Sequence, residues 1–203
     1  MRFMNKHVRF VWVLGAFLLA PSGVCSDTAE GAVGRVEAGK LSFTVPDGWT
    51  REQPTSPMRK AQFRVPAVNE DGDAASLILY YFGPGQGGSV EANLKRWEQQ
   101  FEIPQGTTLA EVKKVEQKTI AGLNVTTLEM AGTYITPRTP INPHDRYNEP
   151  NSRLFAAVVE TPDGNFFFKV VGPDSTMNQW RTDFLRMIDS LKWGDSVGPV
   201  SSH

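Results

Sequence analysis

"RLFAAVVETPDGNFFFKVVGP", Arg153 to Pro173, decides the fold. Pro162-Asp163-Gly164 is a tight-turn signal between two extended runs, so the segment reads as a β-hairpin. Both alternating sets of side chains on both arms are apolar, apart from Lys169. Side chains on a strand point to opposite faces in turn, so a strand apolar on both sets is covered on both sides. The hairpin therefore belongs at the centre of a sheet. "ASLILYYF", Ala75 to Phe82, has the same character, with Leu77, Leu79 and Tyr81 on one side and Ile78, Tyr80 and Phe82 on the other.

Two segments with helical period supply the cover. In "SVEANLKRWEQQFE", Ser89 to Glu102, residues Val90, Leu94, Trp97 and Phe101 fall within about 60° of one another at 100° per residue. Ser89 is a suitable N-cap, and Pro104 marks the exit. In "TMNQWRTDFLRMIDSLKW", Thr176 to Trp193, the apolar stripe is Met177, Trp180, Phe184, Ile188 and Leu191, with Arg186 opposite. Thr176 and Gln179 have the spacing of a capping box, and Arg181, at the stripe's border, is expected to snorkel or pair locally.

The remaining elements are extended. "LSFTVPDGW" (Leu41 to Trp49) alternates apolar and polar before a turn, and "MRKAQFRVP" (Met58 to Pro66) continues in the same style. "EVKKVEQKTI" and "LNVTTLEMAGTYI" are joined through Ala121-Gly122. The sum is an α+β fold: a mainly antiparallel sheet sandwiched between amphipathic helices. Phe166, Phe168, Val170, Leu77, Leu79, Trp97 and Phe184 are expected to be buried.

"LSFTVPDGW", the "FFFKVVGP" strand and the closing "MIDSLKW" together resemble the PsbP-like sandwich, also seen in Ran-binding relatives. The likeness spans about Leu41 to Trp193 and implies an antiparallel sheet between helices, with a non-catalytic accessory or assembly role toward a larger partner. It carries no functional residue across, because no family motif of known function matches position by position. A photosystem role is not implied.

Around this domain, 40–193, lie three lesser segments. Residues 1–26 have the layout of a secretory signal: a basic start (Arg2, Lys6, His7, Arg9), the apolar run Phe10 to Ala20, then "PSGVCSD". The run is too short for a stable membrane anchor. Cys25 raises lipid anchoring as an alternative, but Ser22, Gly23 and Val24 lack the leucine three places back and the small residue just before the cysteine. Cleavage after Ser26 or Cys25 is expected, which places the mature start near Asp27 and leaves no cysteine for a disulfide. Residues 27–39 read as a flexible leader and 194–203 as a disordered tail.

Without Arg2, Lys6 and Arg9, 18 basic residues face 22 acidic ones, a net charge of about −4. A mildly acidic chain without a basic run is ill suited to neutralising phosphates, which argues against nucleic acid as a partner. No later stretch has the length and apolarity of a transmembrane span. The expected setting is periplasmic or extracellular, with a protein partner of unknown identity.

Candidate chemistry is sparse. The connection "TPRTPINPHDRYNEPNS", Thr136 to Ser152, holds His144, the one histidine inside the expected fold. Its prolines favour extended shapes, and Arg138, His144, Arg146 and Tyr147 are its candidate binding residues, arginine and tyrosine being favoured at binding hot spots. The same loop also reads as a cover over a sheet edge. His144, Asp145 and Glu149 offer one imidazole and two carboxylates, too few histidines for the usual catalytic zinc site.

No G-x-S-x-G elbow, P-loop ending or calcium loop is present, so neither a metal nor a cofactor is implied. "GPGQGGS", Gly83 to Ser89, reads as a flexible strand-to-helix connection rather than an anion cradle, since Glu91 follows in the helix's first turn. Asp71, Asp73, Glu98, Glu102 and Glu116 are scattered, and sequence alone does not pair them for hydrolysis. A binding or accessory module is the principal expectation, and a carboxylate-based hydrolase of unrecognised type is the alternative.

Overall fold

The computed structural model describes residues 34–68, 73–137 and 145–194. In chain order these form β1 (Arg35–Ala38), β2 (Leu41–Thr44), β3 (Thr50–Glu52), β4 (Arg59–Val65), β5 (Ala75–Tyr81), α1 (Val90–Glu98), β6 (Phe101–Glu102) and α2 (Leu109–Val112). There follow β7 (Lys113–Ile120), β8 (Leu123–Tyr134), β9 (Glu149–Thr161), β10 (Gly164–Pro173), α3 (Asp174–Asp189) and β11 (Lys192–Trp193). The main sheet is antiparallel in the order β3-β4-β5-β10-β9-β8-β6, with β7 also on β8. A small second sheet has the order β1-β2-β11.

The β9–β10 hairpin turns at Pro162-Asp163 and sits centrally, as its two-sided apolar pattern requires. Phe166, Phe168 and Val170 fall in one buried cluster with Leu77, Leu79, Phe155, Ala157 and Val159. α3 adds Met177, Phe184, Met187 and Ile188 there, and the small sheet adds Leu41 and Phe43. Phe43 meets Phe168 edge-on, with ring centroids 5.1 Å apart. The opposite set, Phe167 with Leu154, Ala156, Val158, Leu128 and Met130, packs under Trp97 of α1 and Phe101. All seven residues expected to be buried are so.

The two faces are covered unequally. The α3 face has a sixteen-residue helix and a second sheet upon it, whereas the other has α1, nine residues long. At 1.5 Å per residue α1 spans about 14 Å, against about 33 Å for the ten residues of β10. Beyond α1 the outward side chains Ile78, Tyr80, Lys169 and Val171 stay partly exposed.

Several boundaries differ from expectation. Arg35–Ala38, assigned to the leader, pair with β2, and Val36 and Ala38 are buried by this pairing. α1 ends at Glu98, so Phe101 lies in β6, where it pairs with Tyr134 yet still packs beside Trp97. α3 begins at Asp174 directly from β10, with Pro173 at the N-cap position, so Thr176 and Gln179 form no capping box. The long connection is shorter than read, because Glu149 to Ser152 already pair within β9. Residues 1–26, with Cys25, and the tail beyond 194 lie outside the described residues.

Candidate functional site

The part of that face beyond α1 forms a groove of about 1080 Å³. Its floor is the outward set of β5 and β10: Ser76, Ile78, Tyr80, Lys169 and Val171. One wall rises from the end of β8 and the start of β9, through Tyr134, Tyr147 and Glu149 to Ser152. The turn from β10 into α3, Gly172 to Ser175, closes one end together with Asp73.

Lys169 stands in the floor between Ile78 on β5 and Ala156 on β9. Its Nζ donates to Gln100 Oε1 at 2.6 Å and lies 5.5 Å from the centroid of the Tyr134 ring. Among the described residues it joins no ion pair within 4.0 Å. Burial, with a smaller push from the Arg96 guanidinium, lowers its pKa to about 8. At neutral pH the groove floor therefore carries a cation held only by a neutral amide and a ring face.

Tyrosines gather around it. Tyr134 packs on Phe101 at 5.3 Å and on Tyr147 at 5.6 Å between ring centroids. Burial raises the Tyr134 phenol to about 12, the neighbouring phenols of Tyr147 and Tyr80 adding to the rise and a hydrogen bond with Thr136 opposing it. Tyr134 thus stays a protonated donor throughout the physiological range. Tyr80 stacks on Phe82 at 6.0 Å and carries the Arg59 guanidinium 5.9 Å from its ring centroid. The Oγ of Ser76, on the same floor, is buried without a hydrogen-bond partner.

Of the four loop residues singled out from sequence, Arg138 and His144 lie outside the described residues. Arg146 and Tyr147 are at the loop's base, which is ordered as a continuation of the β8–β9 ladder. Pro137 bridges Arg146, and the Tyr147 N–H donates to Thr136 O at 2.9 Å. Tyr147 lines the groove, and Arg146 is exposed beyond it. Sequence reading missed Lys169, Tyr80 and Arg59 as site residues, although Lys169 carried the signal as the single charge in the apolar run of β10.

Other candidates take structural parts. Asn93 Nδ2 donates to Gly87 O and Ser89 O at 2.9 and 2.8 Å, which holds the glycine-rich stretch as a seat for α1. A Cβ on Gly87 would come within 2.6 Å of the Phe167 ring, and its φ of +88° suits glycine alone. Glu98 pairs with Lys113 and Glu116 with Lys114. Arg181 pairs with Glu129 at 2.8 Å, and Arg153 bridges the same glutamate to Asp174. Among the described residues there is no group of three or more His, Cys, Asp or Glu placed to hold a metal ion. No described helix is long and apolar enough to cross a membrane.

A mainly antiparallel sheet with helices against it, carrying an open groove on one face, is the class of protein this chain belongs to by structure. No family model matches the chain, and no curated protein matches it in sequence. Among solved structures it is similar to cyanobacterial PsbP (CyanoP) from Synechocystis sp. PCC 6803, at 14% identity and a TM-score of 0.49 over 86% of this chain and 100% of that one. It is also similar to PA94, a protein of unknown function from Pseudomonas aeruginosa, at 14% identity and a TM-score of 0.45 over 82% of this chain and 100% of that one. The PsbP-like group that the sequence resembles is among these matches. No residue or role is carried from either protein.

Proposed function

We propose that this is an exported, non-catalytic binding module that receives its partner in the groove beside α1. One observation carries the proposal: part of a central sheet face is left uncovered, and its floor presents a partly buried cation beside tyrosine rings instead of a closed apolar layer. Binding sites commonly combine such a concave, partly apolar surface with a few placed polar groups. Export is supported by the basic start, the short apolar run and the small residues that precede Asp27. The loop 136–152 contributes through its base, where Tyr147 faces the groove.

A photo-crosslinking residue placed at Tyr147 tests the reading, beside one placed at Arg186 on the exposed side of α3. In envelope extract the Tyr147 probe is expected to give a discrete adduct and the Arg186 probe none. An adduct from Arg186 alone would place the binding surface on the opposite side of the molecule.

A further inference from the structure

Taking the groove as the binding site, we propose that it captures its ligand by a carboxylate, seated on the Lys169 ammonium and the phenols of Tyr134 and Tyr147, with an apolar body lying along Ile78 and Val171. The first support is the local charge. Lys169 joins no carboxylate among the described residues, Arg96 stands close enough to repel it, and Arg59 lies across the floor on Tyr80. An ammonium taken out of water in this way lacks the ion partner that offsets its desolvation, and an entering anion supplies one.

Second, the polar side chains cluster. The Tyr134 ring lies 5.5 Å from Lys169 Nζ and 5.6 Å from the Tyr147 ring, so the ammonium and both phenol-bearing side chains border the same part of the groove. Ser76 Oγ, unpartnered on the same floor beside Val171, is a further orphan polar group of the kind that marks an incomplete site.

The acidic residues narrow the charge of the ligand. Asp73, Glu149 and Asp174 line the groove as well, and Asp174 already binds Arg153 and Asn178. A single negative charge fits over Lys169, while a doubly charged phosphate monoester would meet these carboxylates. Ile78, Val171 and the Tyr80–Phe82 stack offer apolar and aromatic surface to the rest of the ligand.

A carboxylate comes from a free small acid or from the C-terminus of a peptide, and amide NMR titration of the whole protein separates the two. The probes are phenylacetate, phenylacetamide, an acetylated tripeptide ending in phenylalanine with a free or an amidated terminus, and inorganic phosphate. At least one free acid is expected to shift the amides of Ile78, Lys169 and Val171, and its amide is expected to leave them unmoved. A response to phenylacetate alone assigns a small molecule, and a response to the tripeptide acid alone assigns a chain terminus.

Lys169→Gln keeps a polar side chain beside Gln100 and should weaken the bound acid roughly tenfold or more, as for loss of a charge-assisted hydrogen bond. Lys169→Arg, which retains the charge, should weaken it less. Melting curves on both variants separate lost binding from lost folding, and Tyr147→Phe gives a second test that leaves the floor intact. Equal binding of acid and amide, undiminished binding by Lys169→Gln, tighter binding of phosphate, or no response to either free acid would each overturn the proposal. A crosslink from Tyr147 without carboxylate binding would remove this inference and leave the groove as a partner site.

Discussion

Lys169 donates its Nζ proton to Gln100 Oε1 at 2.6 Å, a partly buried cation answered by a neutral amide. With Arg96 on α1 adding repulsion, the folded pKa falls from 10.5 to about 8. Between those values the unfolded chain holds a proton that the folded chain has released, so stability rises as pH climbs through that window. Below it both states are charged, and the fold bears the desolvation cost. Tyr134 works in the other direction, its phenol being raised from 10.0 to about 12, so above pH 10 the unfolded chain loses a proton the native state keeps and stability falls. Tyr80, Tyr147 and Glu149 share the groove with both groups.

Lys169→Met should therefore raise stability at pH 7 by about 1–2 kcal/mol, as expected when a partly buried charge without an ion partner is replaced by apolar volume. It should also flatten the rise between pH 8 and 10. Urea midpoints at pH 7, 8.5 and 10 check both points. A variant less stable at pH 7 that keeps the rise would show that Lys169 is not under this cost.

Phe184 of α3 stacks on Phe155 of β9 at 5.4 Å, where helix and sheet meet, and is 2% exposed. Phe184→Ala is expected to cost about 3–5 kcal/mol, the range for a large aromatic truncation in a packed core. Denaturant unfolding measures it. A loss below about 1 kcal/mol would mean that α3 is not seated on this face.

The central hairpin, both amphipathic helices and the buried residues could be read from sequence because each rests on a local period and two-sided burial. Other features depend on relationships that no single segment contains. The groove exists because α1 is much shorter than the strands beneath it, and nothing in the wheel of Val90, Leu94 and Trp97 says which half of the face it covers. The start of β9 was hidden by Glu149-Pro150-Asn151-Ser152, a turn-like composition that pairs across a register shift, with Asn151 at a φ of +51°. β1 was hidden by its small, polar surroundings, and only pairing with β2 buries Val36 and Ala38.

Glu129 receives Arg153 and Arg181 on its two oxygens, and Arg153 reaches on to Asp174, so four charges tie β8 and β9 to α3. The Glu129 side chain is 18% exposed, enough shielding to strengthen the pairs but not to isolate them from water. Glu129→Ala should destabilise by about 2 kcal/mol, less than the loss of a partner in a fully buried pair. A double-mutant cycle with Arg153→Ala should show a coupling of about 1 kcal/mol or less at low salt, shrinking as salt is added. Strict additivity would mean that the network does not hold α3.

The loop between β8 and β9 divides into a paired base and a tip. Thr136 accepts from the Tyr147 N–H and Pro137 bridges Arg146, so the base extends the central ladder, and Tyr147 itself packs on Tyr134. A glycine linker reaching from Thr139 to Asn148 would remove Tyr147 along with part of the ladder, and a lower melting temperature would then say nothing about recognition. Replacing 138–144 alone with a short glycine turn keeps the base, and the melting temperature should stay within about 2 °C, since a change in loop length costs little. With the groove as the binding site, the Tyr147 crosslink should persist in that variant, while Tyr147→Ala with the crosslinker moved to Ile78 should lose it. If removal of 138–144 alone abolishes the crosslink with the melting temperature unchanged, the contacts belong to Arg138 and His144 in the tip, and the groove is not where the partner is held.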